Sequence, residues 1–232
     1  AQGGSIVVEE PQTGKILAMG SSPAFDPNVY SSSPLQNFLN PVVQKIYEPG
    51  SVLKVVTMAS ALDAGKITPD TTYIDPGKLT MNTKTIKNFD YDARGGHGKV
   101  SMTYVLAHSL NTGAVFAEQK LGNENFLAYL KKFGLDQKTG VTLPGEIKGS
   151  VRPLLERGVR DIAFATASYG QGIAITPLGL LQAVGAIANG GNLMRPYLDA
   201  SLSPKVVRRV VSAEAAQAAT KMMVTAVDQA GV

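Results

Sequence analysis

The sequence predicts an α+β fold in which helices predominate, and three observations carry that reading. The β-branched segment 5–9 and the returning segment 15–19 flank Pro11-Gln12-Thr13-Gly14 and read as an N-terminal β-hairpin. From residue 51 onward, apolar residues recur at helical spacing in several separate segments. With 44% hydrophobic and 17% charged residues over 232 positions, there is apolar material for a sizeable core and no signature of disorder.

The elements follow in order. After the hairpin comes a polar stretch, residues 21–47, rich in Ser, Pro and Asn and read as a long loop. Glu48-Pro49-Gly50 breaks the chain. In residues 51–64, Leu53, Val56, Ala59 and Leu62 then fall at helical spacing, and Gly65 supplies a helix stop. Residues 67–99 are turn-rich, with room for short strands only. Helical patterns return at 103–109, 112–121 and 125–133. Residues 177–189 form an apolar helix with Pro177 in its first turn and Gly190-Gly191 beyond its end. Residues 212–228 are Ala-rich and helical. No internal repeat interrupts the chain. A lone hairpin is rarely stable, so helices or further strands are expected against it.

Composition excludes several functions. A net charge of +4, dispersed and without aromatics among the basic residues, argues against a nucleic-acid partner. The absence of cysteine removes disulfides, thiolate nucleophiles and cysteine-bound metal. Only His97 and His108 are present and no HExxH occurs, so neither a metal nor another cofactor is expected. His97 lies in Gly95-Gly96-His97-Gly98 and His108 precedes Ser109; both are expected to be structural or exposed. No run of about 18 apolar residues could span a membrane.

The chemistry starts with Ser51-Val52-Leu53-Lys54. Positions three apart share a helix face, so the lysine amine can reach the serine hydroxyl. Serine needs a base to become a nucleophile, and a lysine kept partly neutral by burial can serve. A helix N-terminus also favours negative charge on an attacked carbonyl, which makes the Ser51 N–H an oxyanion donor. The plainer reading of the same four residues is a serine cap followed by a surface lysine. Ser109-Leu110-Asn111 lies in the break between two helices, where a hydroxyl and an amide can enter one cleft. Ser109 can relay a proton between Lys54 and a leaving group; Asn111 can hold a substrate carbonyl and steady the lysine. Ser109 can equally be a helix cap.

Serine-x-x-lysine followed by serine-x-asparagine resembles the penicillin-recognising enzymes. Longer stretches are similar to the class B penicillin-binding proteins. They are Thr13-Gly14-Lys15-Ile16-Leu17-Ala18-Met19, Phe25-Asp26-Pro27-Asn28, Glu48-Pro49-Gly50-Ser51-Val52-Leu53-Lys54, Leu143-Pro144-Gly145-Glu146, and Gly170-Gln171-Gly172-Ile173 with Thr176-Pro177. The resemblance implies a transpeptidase-like fold, with helices packed on a five-stranded antiparallel sheet plus a mostly helical subdomain. On that basis residues 1–232 are expected to form a single, partial transpeptidase domain with the helical subdomain at about 66–160. It further implies that Ser51 attacks a peptidoglycan stem peptide ending in D-Ala-D-Ala, that β-lactam antibiotics acylate the same serine, and that membrane wall-synthesis machinery is a partner. The place of action is then the outer face of the bacterial cytoplasmic membrane, with an anchor outside this sequence.

The family's third motif is lysine-threonine-glycine on a strand beside the nucleophile. Lys138-Thr139-Gly140 matches in letters but follows a short helix in a turn-rich connection, so it is read as a turn. The true motif and the last sheet strands are expected beyond Val232. Two alternatives stand beside the transpeptidase. A serine β-lactamase would need a positioned base for water, which no residue here supplies by pattern. A non-catalytic sensor or scaffolding module would retain Ser51 and Lys54 without turnover.

Overall fold

The computed structural model describes residues 3–229. Strands β1 (Gly4–Glu10) and β2 (Lys15–Ser22) form the hairpin, with Val7 opposite Met19 and a bulge after Val8. Next come α1 (Pro41–Gln44) and α2 (Leu53–Asp63), the latter entered through a 3-10 turn, Gly50–Val52. The turn-rich region resolves into β3 (Thr72–Asp75), β4 (Lys78–Met81), β5 (Lys84–Lys87), α3 (Tyr91–Arg94) and β6 (Gly98–Ser101). Helices α4 (Met102–Ala107), α5 (Asn111–Leu121), α6 (Asn123–Lys132), α7 (Asp161–Ala167) and α8 (Pro177–Ala188) follow. Strands β7 (Asn192–Met194) and β8 (Val206–Arg209) and helix α9 (Ala213–Gln229) end the described chain.

The fold is α+β, as the sequence predicts. Among the described residues the strands form four two-stranded antiparallel sheets, β1–β2, β3–β6, β4–β5 and β7–β8. No five-stranded sheet is among them.

Helix α2 is the axis of the core. Every residue from Leu53 to Ala61 is buried, and α4, α5, α6, α8 and α9 all pack against it. A helix apolar on all sides is stable only when enclosed in this way. Leu53 and Met58 share one cluster with Val105, Phe126, Leu130, Phe133, Ile187 and Met222. Each such side chain contributes about 1.5–3 kcal/mol by leaving water. Helix α4 approaches α5 closely because position 113 is glycine: a Cβ there would lie 2.4 Å from Val105 Cγ1. The break between α4 and α5, which carries Ser109, is therefore clamped to the core.

The hairpin is covered on one face. Ile16, with Val7 and Met19 beside it, packs on Val42 and Val43 of α1 and Leu178 of α8. Ile6, Val8 and Leu17 stay exposed. Of the two ways the sequence left to stabilise this hairpin, helices provide the observed one.

Differences from the sequence reading are confined to short elements. Seven-residue α7 and three-residue β7 are too short to show periodicity. The stretch read as a long loop holds α1 and two 3-10 turns, Tyr30–Ser32 and Leu35–Phe38.

Candidate active site

Ser51 sits exposed in the 3-10 turn that leads into α2, while Lys54, one turn on, is 1% exposed. Pro49 precedes the turn, and Gly50, its first residue, adopts the left-handed φ of +59° that redirects the chain. Lys54 Nζ lies 3.1 Å from Ser51 Oγ, 2.9 Å from Ser109 Oγ and 2.5 Å from the Ser109 carbonyl. An ammonium has three N–H donors, and here each finds one acceptor. A neutral amine has two donors and a lone pair. With both donors on Ser109, the lone pair can accept the Ser51 proton.

Burial drives the Lys54 amine from its usual 10.5 down to about 8. Burial thus brings a neutral Lys54 within reach near neutral pH. The three contacts favour the ion, but burial outweighs them.

Ser109 reaches Lys54 because the chain turns sharply between α4 and α5: its φ is +53°. This left-handed residue directs both its carbonyl and its hydroxyl at one amine. The capping alternative is not observed. The residue before α5 is Leu110, and no side chain caps that helix from this position. Asn111 is the first residue of α5, and its Nδ2 donates to the carbonyl of Lys87 at 2.8 Å. It makes no hydrogen bond to Lys54. The lysine is steadied by Ser51 and Ser109, whereas the Asn111 amide is tied to β5.

The segment 168–175 forms the wall behind the turn that carries Ser51. Gly50 N–H donates to the Gly170 carbonyl, Gly172 N–H to Glu48 Oε1, and Thr57 Oγ1 to the Ser168 carbonyl. Tyr47 pairs with Ile175. Gly170 has φ +83°, and a Cβ there would stand 2.1 Å from the Gly50 carbonyl oxygen, so only glycine fits. In the sequence, Gly170-Gln171-Gly172-Ile173 carries only a family resemblance. Its role is contact with the turn that presents Ser51.

Lys138-Thr139-Gly140 lies outside every strand. Thr139 donates through N–H and Oγ1 to Glu146 Oε1 at 2.7 and 2.5 Å, and the Gly140 N–H donates to Glu146 Oε2. The Leu143-Pro144-Gly145-Glu146 stretch thus folds a carboxylate back onto this loop. The His97 ring is fully buried between Asp90 Oδ2 at 2.9 Å and Tyr104 OH at 3.1 Å. His108 is exposed and stacks on Tyr104. Neither histidine bonds to Ser51, Lys54 or Ser109. Among the described residues, no group of three His, Cys, Asp or Glu side chains could hold a metal ion. Nor is any helix there long and apolar enough to cross a membrane.

Comparison with known proteins gives these positions a context. The penicillin binding protein transpeptidase domain family matches residues 4–231. Stage V sporulation protein D of Bacillus subtilis is 37% identical over 207 residues, covering 88% of this chain and 31% of that protein. A peptidoglycan D,D-transpeptidase FtsI homolog of Mesostigma viride is 35% identical over 204 residues, covering 85% of this chain and 34% of that protein. The chain thus spans about a third of the length of these relatives. Penicillin binding protein 3 of Mycobacterium tuberculosis, solved with aztreonam, superposes with a TM-score of 0.81 at 32% identity. That match covers 95% of this chain and 50% of the other.

Proposed function

The chain belongs to the penicillin-binding protein transpeptidase family, and from that premise we propose that it carries the acyl-transfer site of a peptidoglycan D,D-transpeptidase, with Ser51 as nucleophile and Lys54 as its base. The observation that supports this most directly is the single amine within hydrogen-bond reach of both Ser51 and Ser109.

The proposed reaction proceeds in two transfers. Neutral Lys54 takes the Ser51 proton as Oγ attacks the carbonyl of the penultimate D-alanine. Negative charge on the carbonyl oxygen is met by the Ser51 backbone N–H at the entrance of α2. The tetrahedral adduct collapses by breaking the peptide bond, and the departing D-alanine nitrogen takes a proton from Lys54 through the Ser109 hydroxyl. An ester on Ser51 remains. An amine from a neighbouring stem peptide attacks that ester, gives its proton to Lys54, and Ser51 leaves with a proton restored. The Asn111 amide holds a substrate carbonyl throughout. A β-lactam opens at its ring amide instead, and its nitrogen stays tethered, so the ester persists.

On this reading, residues 66–160 are the helical subdomain of one transpeptidase domain, and their content of α4, α5 and α6 supports that division. The same reading places the parent protein at the outer face of the bacterial cytoplasmic membrane among wall-synthesis partners. Its support is the peptidoglycan and sporulation names of the relatives.

The test is intact mass after incubation with benzylpenicillin, for the wild type and Ser51→Ala. One drug mass per chain is expected in the wild type and none in the variant. The rate of adduct formation should climb from pH 6 and level off above about 8, since only the neutral amine is a base. A folded sample with no adduct overturns the proposal, and so does an adduct hydrolysed within seconds, which is β-lactamase behaviour.

A further inference from the structure

Lys54 accounts for the placement of Ser51 and Ser109, but not for that of Asn111. The Asn111 amide is held by the Lys87 carbonyl at the end of β5, so its position depends on how β5 meets the first turn of α5. Both sides of that junction converge on one buried carboxylate. Asp75, the last residue of β3, is 2% exposed. Thr112, the residue after Asn111, donates its hydroxyl to Asp75 Oδ1 at 2.5 Å. Asn88, the residue after Lys87, donates its amide to both Asp75 oxygens at 3.1 and 3.0 Å. Asn88 then closes the brace, because its Oδ1 accepts the Thr112 N–H at 3.1 Å. Three further donors complete the shell: the backbone N–H groups of Gly77 and His97, each at 3.0 Å, and Tyr73 OH at 3.1 Å.

The brace also does the work of a helix cap. The first N–H groups of a helix have no acceptor within it, and Leu110 offers no side chain for α5. Asn88 supplies the missing acceptor from another element. The Asp75 charge lies beside the same helix end, where negative charge is favoured.

We infer that Asp75 is a positioning residue for the acyl-transfer site: its carboxylate, through Thr112 and Asn88, sets the register of α5 against β5 and thereby holds the Asn111 amide where it meets the substrate. The inference rests on the transpeptidase reading for what Asn111 does, and on the hydrogen bonds alone for how Asn111 is held. Asp75 touches neither Ser51 nor Lys54, so its loss leaves the nucleophile and its base in contact.

The experiment compares the whole chain with Asp75→Asn, Asn111→Ala and the double variant, using benzylpenicillin and intact mass. Asp75→Asn keeps the shape but turns an NH₂ toward donors that need an acceptor. It is expected to reach the full amplitude of one adduct per chain at a rate slowed about tenfold to a hundredfold, the scale of a displaced positioning group. In the Asn111→Ala background the same substitution should slow acylation no further. A merely structural role would reduce the amplitude and act equally in both backgrounds, and that result overturns the inference. An Asp75→Asn rate equal to wild type overturns it too. Should Asp75→Asn fail to fold, Asn88→Ala removes the brace but leaves the carboxylate with its other donors, and the same slowing and the same lack of additivity are expected. If the wild type takes no adduct, the transpeptidase reading fails while the clamp remains measurable by NMR. The Asn111 side-chain amide protons should be protected from exchange in the wild type and lose that protection in Asp75→Asn or Asn88→Ala; equal exchange overturns the clamp.

Discussion

At the N-terminal end of α5 the carboxylate of Asp75 is 2% exposed; in the last turns of the same helix that of Glu118 is 1% exposed. Burial alone would push both upward in pKa. For Asp75 it does push upward, yet hydrogen bonds from Thr112, His97, Gly77 and Asn88 outweigh it and hold the group below the usual carboxylate range. Glu118 has no such donors. Its Oε1 is buried without a partner, and burial, aided by the charge of Asp161, lifts it from 4.5 to about 7. The state of a buried carboxylate is thus decided by the donors brought to it. Donors are gathered at the end of α5 that carries Asn111 and are missing at the end that does not.

The largest effect that tests this contrast is Asp75→Ala. It strands five donor groups, which make six hydrogen bonds to the carboxylate, around an empty site, and a loss of about 3 kcal/mol or more in unfolding free energy is expected at pH 7, read from urea midpoints. A loss below about 1 kcal/mol would erase the distinction between the two ends.

Glu118→Gln comes next and has the opposite sign. The native protein binds the Glu118 proton more tightly than the unfolded chain does. Wild-type stability from this group is therefore whole below 4.5 and is lost as pH climbs through about 7. The amide does not titrate. The variant should gain on the wild type by about 1–3 kcal/mol between pH 5 and pH 8. Thermal melts at the two pH values measure it, and a difference that does not change with pH would mean that Glu118 has a hidden partner.

The smallest effect belongs to an intermediate case. Asp63, at the end of α2, accepts from Tyr129 OH at 2.7 Å and from the Ser212 N–H at 2.6 Å. Burial pushes it up, and these two donors bring it below its usual value. Tyr129→Phe removes one donor and should cost about 1 kcal/mol. A cost near that of Asp75→Ala would show that the number of donors is not what sets the scale.

Much of the candidate site was legible in residues 51–54, because a serine and a lysine one helical turn apart are a local pattern. So were the hairpin and the helices around 51–64, 112–121, 177–189 and 212–228, whose periodicity repeats long enough to be read. Ser109 and Asn111 were legible only as a motif. That Ser109 turns both its oxygens to Lys54, while Asn111 turns away to Lys87, depends on a left-handed residue that nothing in Ser-Leu-Asn requires. The aspartate in Thr-Tyr-Ile-Asp-Pro-Gly reads as the end of a strand before a turn. Its partner Thr112 stands 37 residues away, and no spacing rule connects them.

The sequence by itself determined the helix that presents Ser51, the reach of Lys54 to it, and the glycine that the turn at position 50 needs. Such features come from interactions within about one helical turn, which residue order encodes directly. The tertiary structure alone decided that Lys54 is buried, that Gly170 backs the turn carrying Ser51, and that Asp75, Asn88 and Thr112 meet beside the start of α5. Each depends on segments 37 to 120 residues apart meeting in one core, and there the outcome is set by which donors and apolar surfaces arrive together.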